Sequence, residues 1–256
     1  MNEKQKADYL ERIGFSLTGR MDAKNLNALI RAHLESVPFE NLDVVEQKQV
    51  PDLSEETLFD KIVRRKRGGY CFELNTLFLR LLEAVGVEAY PVAARVLWGR
   101  DYIPPISHVG LSASIDGRKC FCDVGYGGPG PKGLLYLEEG EQRIADEDFR
   151  VQIPEEGHFF IERRGKDQWR KVLSFYDSPF EEVDFQILNF YCARNEKVLF
   201  TQKRVVNLCT SSGSKALTDM ELTVREGERI YRKMCRDKDE LRGVLQREFG
   251  ICSGLG

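Results

Sequence analysis

No run of apolar residues in this chain approaches the ~18 needed to cross a bilayer as a helix, so no transmembrane segment is expected. The opening MNEKQKADYLERIG lacks the apolar region of a secretory signal. Charge of one sign is not in excess: 38 Lys and Arg against 41 Asp and Glu leave a formal −3, with no global pull toward nucleic acid or an anionic membrane. Internal repeats and low-complexity tracts are missing, which sets aside repeat architectures. Cys120 and Cys122 have no second pair at zinc spacing, so they read as core residues and no metal is expected. The seven cysteines are odd in number and follow no signal, which fits reduced thiols in a cytoplasmic protein.

A chain of 256 residues suffices for one large domain or two to three sub-domains. Residues 1–86 carry helical periodicity. Asp22 is placed to cap a helix with apolar residues at 26, 29, 30 and 34, ended by Pro38. Ser54 precedes two acids, apolar pairs and then the basic run RRKR at 64–67, an order that complements a helix dipole. A third helix is predicted from Cys71 to Gly86. From 87 to 207 the texture becomes short β-rich runs separated by turn signals: VEAYPVAARVLW, HVGLSASI, RKCFCDV, FFIERR, QWRKVLSFY and KVLFTQKRVVNL. Residues 216–256 read as strand (ALTDMELTVRE), a turn at Gly227, and a helix around 238–249 ended by Gly250. The expected class is α+β, with sub-domains 1–86, 87–207 and 208–256 around one site.

Cys71 raises the chemical question. It follows Gly68 and Gly69, which allow a sharp turn into the helix. A thiol at a helix N-terminus feels partial positive charge that favours thiolate; equally, a buried cysteine is usually an inert core residue. The partners decide between these. Asp116-Gly117 predicts a two-residue hairpin in which Ile115 pairs with Arg118. In that register Asp123 lies opposite Gly110 and His108 opposite Gly125, so His108 and Asp123 are diagonal neighbours on one face. A carboxylate-held histidine presented to a thiol is an activated-nucleophile arrangement.

Other features carry less. GYGGPG from Gly125 formally matches G-x-G-x-x-G, yet Pro129 and Pro131 oppose the helix a dinucleotide site requires. RRKR reads as a solvated helix end. His33 and His158 read as ordinary polar-face or loop residues, and Trp98 and Trp169 as packing.

With RGGYCFELN, HVGL and DVGYGG in this order, the sequence resembles the arylamine N-acetyltransferase family of bacterial type. YLERIG, HLESVPFENLD, VDFQILNFY and ELTVREG extend the likeness over nearly the whole chain. The resemblance implies a helical domain, a β-barrel-like domain and an α/β lid, with a papain- or transglutaminase-like catalytic core. It implies acetyl-CoA as acetyl donor, arylamines and hydrazines as acceptors, Cys71 as nucleophile, His108 as base and Asp123 as orienter. Phe39, Val96 and Tyr126 fall where the family lines its amine pocket, with Ser107 a looser candidate. Pro104, Pro105, Tyr191 and Lys197 fall near positions that touch CoA. Two other readings stay open: a cysteine hydrolase or transglutaminase-like enzyme using the same three residues, and a non-catalytic binding protein with Cys71 in the core.

Overall fold

The carboxylate of Asp22 accepts a hydrogen bond from the Asn25 backbone at 2.8 Å, so the second helix begins where its cap predicts. In this computed structural model, which describes residues 1–252, the helices are α1 (Glu3–Arg12), α2 (Ala23–Ser36), α3 (Leu42–Val45), α4 (Glu55–Phe59), α5 (Cys71–Ala84), α6 (Phe185–Arg194), α7 (Leu199–Gln202) and α8 (Lys238–Phe249). The last four residues of the 208–256 stretch lie outside the described residues. α4 runs directly into a π-helical turn, Asp60–Arg64. α5 buries Leu74, Leu77, Phe78, Leu81 and Leu82 completely. It is the axis of the largest apolar core, and truncating one of these leucines to alanine removes about 2–5 kcal/mol. Gly86, at φ +80°, ends it.

Two antiparallel sheets receive the strands. The first runs β5 (Leu135–Tyr136), β4 (Arg118–Cys122), β3 (His108–Ile115), β2 (Glu88–Val96), β9 (Trp169–Tyr176), β8 (His158–Arg164), β7 (Glu147–Glu155) and β6 (Gly140–Ile144). Its two edges, β5 and β6, meet through one side chain. The Gln142 amide accepts from the Tyr136 backbone N–H at 2.9 Å and donates to the Tyr136 carbonyl at 2.8 Å. That bridge leaves the sheet nearly closed, like a barrel, and satisfies edge groups that would otherwise be exposed. The second sheet takes β1 (Phe39–Glu40) from the N-terminal part and pairs it with β10 (Val205–Thr210), followed by β11 (Gly213–Thr218), β12 (Glu221–Glu226) and β13 (Arg229–Met234). α8 covers this sheet with Leu241, Val244, Leu245 and Phe249, and Gly250 ends it in the left-handed conformation, as the sequence predicts.

Three local expectations change. KVLFTQ, read as strand, forms α7 after the turn that closes α6, so helices interrupt the β-rich stretch, and residue 207 lies inside β10. The β6–β7 hairpin, hidden in the charged run EQRIADEDFR, turns at Ala145 with φ +53° and buries only alternate residues such as Phe149 and Val151. RRKR is not uniformly solvated. Arg67 is buried and pairs with Glu40 and Asp43, while Arg64, Arg65 and Lys66 remain exposed.

His33 also departs from its expected polar-face position. It is fully buried on α2, between the rings of Tyr9 (centroids 5.8 Å apart) and Phe78 (5.4 Å). Among the described residues neither ring nitrogen has a hydrogen-bond partner. Burial, with the nearby Arg12 cation adding, lowers its pKa from 6.5 to about 3. The unfolded chain therefore takes up a proton below 6.5 that the folded chain refuses until about 3. Stability is complete above 6.5 and falls as pH drops through that window. Between pH 7 and pH 5 this one group should remove about 2 kcal/mol. Urea denaturation of wild type and His33→Leu at both pH values should show that loss largely absent from the variant.

Candidate active site

The hairpin forms in the predicted register. Asp116 and Gly117 take φ of +50° and +76°, and Ile115 pairs with Arg118 and Leu111 with Cys122. The ladder ends there, leaving His108 at the start of β3 and Asp123 one residue past β4. His108 Nε2 and Asp123 Oδ2 lie 2.7 Å apart, both residues buried. The diagonal contact expected from the sequence is thus made.

Asp123 is held from two further directions. Its Oδ1 accepts from the Gly125 backbone N–H at 2.8 Å and from Asn75 Nδ2 at 2.9 Å. Asn75 also donates to the Val109 carbonyl at 2.7 Å and accepts from the Val124 N–H at 3.0 Å. Asn75 was not singled out from the sequence. The available signal was a lone amide in the apolar run CFELNTLFLRLL, four residues after Cys71 and so on the same helical face.

The glycines act through space more than through φ. Neither Gly68 nor Gly69 has positive φ. A Cβ at Gly68 would stand 1.8 Å from the Pro38 carbonyl oxygen, because β1 runs alongside this turn and Glu40 N–H bonds the Gly69 carbonyl at 2.8 Å. Gly125 does not simply leave room for the imidazole: a Cβ there would meet Cys71 Cα at 2.8 Å and Asn75 Nδ2 at 2.9 Å. The loop after β4 therefore touches the first turn of α5 directly.

That first turn is further fixed by buried charge. Lys61 Nζ lies 2.7 Å from both Glu73 and Asp43, and Arg67 pairs with Glu40 and Asp43. Glu73 Oε2 accepts from the Tyr70 N–H at 3.0 Å, capping the helix that begins at Cys71. Burial alone would lower the Lys61 pKa, but Glu73, Glu40 and Asp43 outweigh it and hold the ammonium charged.

Cys71 occupies the first position of α5 and is 2% exposed. Its Sγ faces the carbonyl of Ser107, the residue before His108, at 4.0 Å. Among the described residues no hydrogen bond joins that sulfur to the imidazole. The thiolate-favouring effect expected of the helix terminus does not prevail. Burial pushes the thiol well above the ordinary cysteine range and Cys192 adds to this, while the Val109 and Phe72 N–H groups pull the other way. A proton acceptor is therefore required before this sulfur can act as a nucleophile.

The remaining candidates fall into two groups. Tyr126 packs edge-on against His108, centroids 5.5 Å apart, and Val96 lies with Tyr126 against the barrel core. The Phe39 ring fills the space a Cβ on Gly127, beside Tyr126, would need. In the second group, the Pro104 carbonyl accepts from Arg95 at 2.5 Å and Pro105 is exposed on the same loop. Tyr191 lies on α6, and Lys197 is exposed just before α7. Loop and helix meet at Ser107, whose carbonyl also faces Cys192 Sγ at 3.7 Å. GYGGPG leads into no helix, His158 hydrogen-bonds Ser174, and Arg cations sit over Trp98 and Trp169. No cluster of metal-ligating side chains occurs among the described residues, and none of the described helices is long and apolar enough to cross a membrane.

A family model described as N-acetyltransferase matches residues 22–253. Arylamine N-acetyltransferase of Mycolicibacterium smegmatis is 32% identical over 253 residues, covering 96% of this chain and 91% of that protein. Among solved structures, the Salmonella typhimurium arylamine N-acetyltransferase has a TM-score of 0.90 at 26% identity, covering 98% of this chain and 92% of its own. The Mycobacterium marinum arylamine N-acetyltransferase in complex with CoA has a TM-score of 0.89 at 28% identity, covering 96% and 92%. A thiol, an imidazole and a carboxylate set at one junction of helix and hairpin thus sit in a fold that these enzymes share, and the chain belongs to the arylamine N-acetyltransferase family.

Proposed function

We propose that this protein transfers the acetyl group of acetyl-CoA to the nitrogen of arylamines and hydrazines in two steps, through an acetyl-Cys71 intermediate. The observation that carries this reading is the 2.7 Å contact between His108 and Asp123, locked by Asn75 at the start of the helix that bears Cys71. Acetyl-CoA enters as co-substrate and supplies an activated thioester. His108 takes the Cys71 proton and Asp123 stabilises the imidazolium so formed. The sulfur attacks the acetyl carbonyl, CoA leaves as thiol, and the exchange of one thioester for another is nearly isoenergetic. His108 then removes the proton of the attacking amine.

Features of the chain fit both substrates. Phe39, Val96 and Tyr126 offer apolar surface on the hairpin side, suited to a flat aromatic ring. Pro104, Pro105 and Tyr191 are assigned to the CoA side, and the exposed cations Lys48, Arg194 and Lys197 are available to its phosphates. Burial of Cys71 keeps water from the thioester. The same reading includes the papain-like core and the division into 1–86, 87–207 and 208–256. It also places the protein in the cytoplasm, in keeping with seven free cysteines.

Incubation with acetyl-CoA alone should add one acetyl group at Cys71 and release free CoA before amine is present. Intact mass and peptide mapping test this, and a requirement for amine before CoA release would overturn the two-step scheme. Asp123→Asn should slow acetylation by a factor on the order of a thousand or more while circular dichroism stays native; near-normal acetylation would remove Asp123 from its role. Phe39→Ala should raise the apparent KM for the amine and leave single-turnover acetylation nearly unchanged. Damage confined to the acetylation step would move Phe39 out of the amine slot.

A further inference from the structure

The carbonyl oxygen of Ser107 has two sulfur neighbours. Cys71 Sγ lies 4.0 Å from it and Cys192 Sγ 3.7 Å. Cys192 sits on α6, whose position over α5 is set by Asn189: its side chain bonds the Tyr70 hydroxyl and donates to the Pro51 carbonyl at 2.8 Å. Tyr70 and Cys71 are adjacent, as α5 begins, and Asn189 and Cys192 lie one turn apart on α6. The anchor that places α6 therefore also brings its thiol to the carbonyl that Cys71 faces. Both cysteines are free and buried, and the acetyl-transfer steps above give Cys192 no task.

We propose that Cys192 is a resolving thiol for Cys71, so that a hydroperoxide closes a reversible Cys71–Cys192 disulfide that switches acetyl transfer off and shields the nucleophile from irreversible oxidation. The proposal rests on the reading of Cys71 as the nucleophile. In the first step His108 takes the Cys71 proton and the sulfur attacks one peroxide oxygen. The O–O bond breaks, the departing hydroxide takes up that proton as water, and Cys71 becomes a sulfenic acid. In the second step the Cys192 sulfur attacks the Cys71 sulfur. The S–O bond breaks, and the hydroxyl leaves with the Cys192 proton as a second water. Two thiols lose two electrons and one peroxide gains them. A dithiol reductant reverses the change by thiol–disulfide exchange.

Two other features fit this role. Cys192 is shut away from solvent, and burial pushes its thiol up to about 12, so it is a poor first target for peroxide and waits on a sulfenic acid formed beside it. The two sulfurs reach the shared oxygen from separate helices. α6 has an outer face exposing Ile187 and Phe190, with nothing packed over it among the described residues to resist the approach a disulfide requires. Cys120 and Cys122 form another pair, at 3.9 Å, but both lie on β4 in the core, so they act as an internal control.

The test is brief treatment with hydrogen peroxide, blocking of free thiols, and non-reducing tryptic mapping. Wild type should yield the peptide of residues 68–80 joined to that of residues 172–194, with a loss of two hydrogens and of acetyl transfer. Dithiothreitol should restore nearly all the activity. A Cys120–Cys122 bond would stay within the single peptide of residues 120–132 and is thereby told apart. Cys192→Ala should form no such link, should carry Cys71 on to sulfinic acid, and should recover less than about a tenth of its lost activity. Acetylation of Cys71 by acetyl-CoA beforehand should block the link in wild type. If wild-type Cys71 is oxidised or left untouched without any link to Cys192, or if the variant recovers as fully as wild type, the proposal falls. The wild-type map decides the matter even if the variant folds poorly. Failure of acetyl-CoA to label Cys71 would instead refute the underlying assignment of the nucleophile.

Discussion

One buried carboxylate joins three parts of the molecule that have little else in common. Asp123 ends the first hairpin, yet its oxygens are taken by a helix side chain (Asn75), a loop N–H (Gly125) and a strand-borne imidazole (His108). A carboxylate out of water is tolerable only when its acceptor sites are filled. Each partner is therefore placed as much by the need to satisfy Asp123 as by its own element. Gly125 must be glycine because the loop has to come within reach of α5, and Asn75 must be an amide because it donates to Asp123 and accepts from Val124 at once. Removing one partner strands polar groups on the others, so the site behaves as a unit rather than as three separable residues.

The start of α5 meets the same demand with a larger charge set. Glu40, Asp43 and Glu73 face Lys61 and Arg67 in a shell that is almost closed to solvent. Such a cluster adds less stability than an apolar replacement of equal volume would, because the desolvation of each ion offsets much of the attraction. Its geometric effect is clearer. Glu40 lies on β1, Asp43 on α3, Lys61 on the π-helical turn, Arg67 before the glycine pair and Glu73 in α5 itself, so the ions register five segments around the residue that carries the thiol. Burial raises the Glu73 carboxyl despite Lys61, as expected where three acids share two bases.

Much of this was legible in the sequence, and the reasons are local. The Asp116-Gly117 turn dictates a register, and a register dictates which side chains share a face, so His108 and Asp123 could be paired before any coordinates. The caps at Asp22 and the stops at Gly86 and Gly250 depend on one residue each. Apart from the β6–β7 turn at Ala145, which carries no glycine to signal it, the misses are tertiary. His33 sits three residues past Ile30 on the buried face of α2, and only the placement of Tyr9 and Phe78 shows that it is enclosed. Arg67 looks like the last member of a solvated basic run until β1 brings Glu40 to it. KVLFTQ has a strand-like composition, but the turn after Asn195 and the contacts of Asn41 with the Phe200 and Lys203 carbonyls draw it into a helical turn. Nothing in the order of residues announces that Cys192 and Cys71 face the same Ser107 carbonyl, because the anchor that brings α6 there is made by Asn189 to residues far away in the chain.

Burial of the thiol ties these strands together. Closing the site around Cys71 raises the free energy of its thiolate, and each unit of pKa so gained adds about 1.4 kcal/mol to the ionisation. The same closure would keep water from a thioester formed there, so in the proposed mechanism the difficulty of making the nucleophile and the persistence of its acyl form have one cause. A histidine on a mobile loop would not overcome such a barrier reliably. In that mechanism, one fixed by a hydrogen-bonded aspartate, on a strand whose register a two-residue turn sets, would accept the proton at a defined place. The ordering of Asp123 by Asn75 and Gly125 is thus the structural counterpart of the burial of Cys71: a dry thiol requires a base that is already in position.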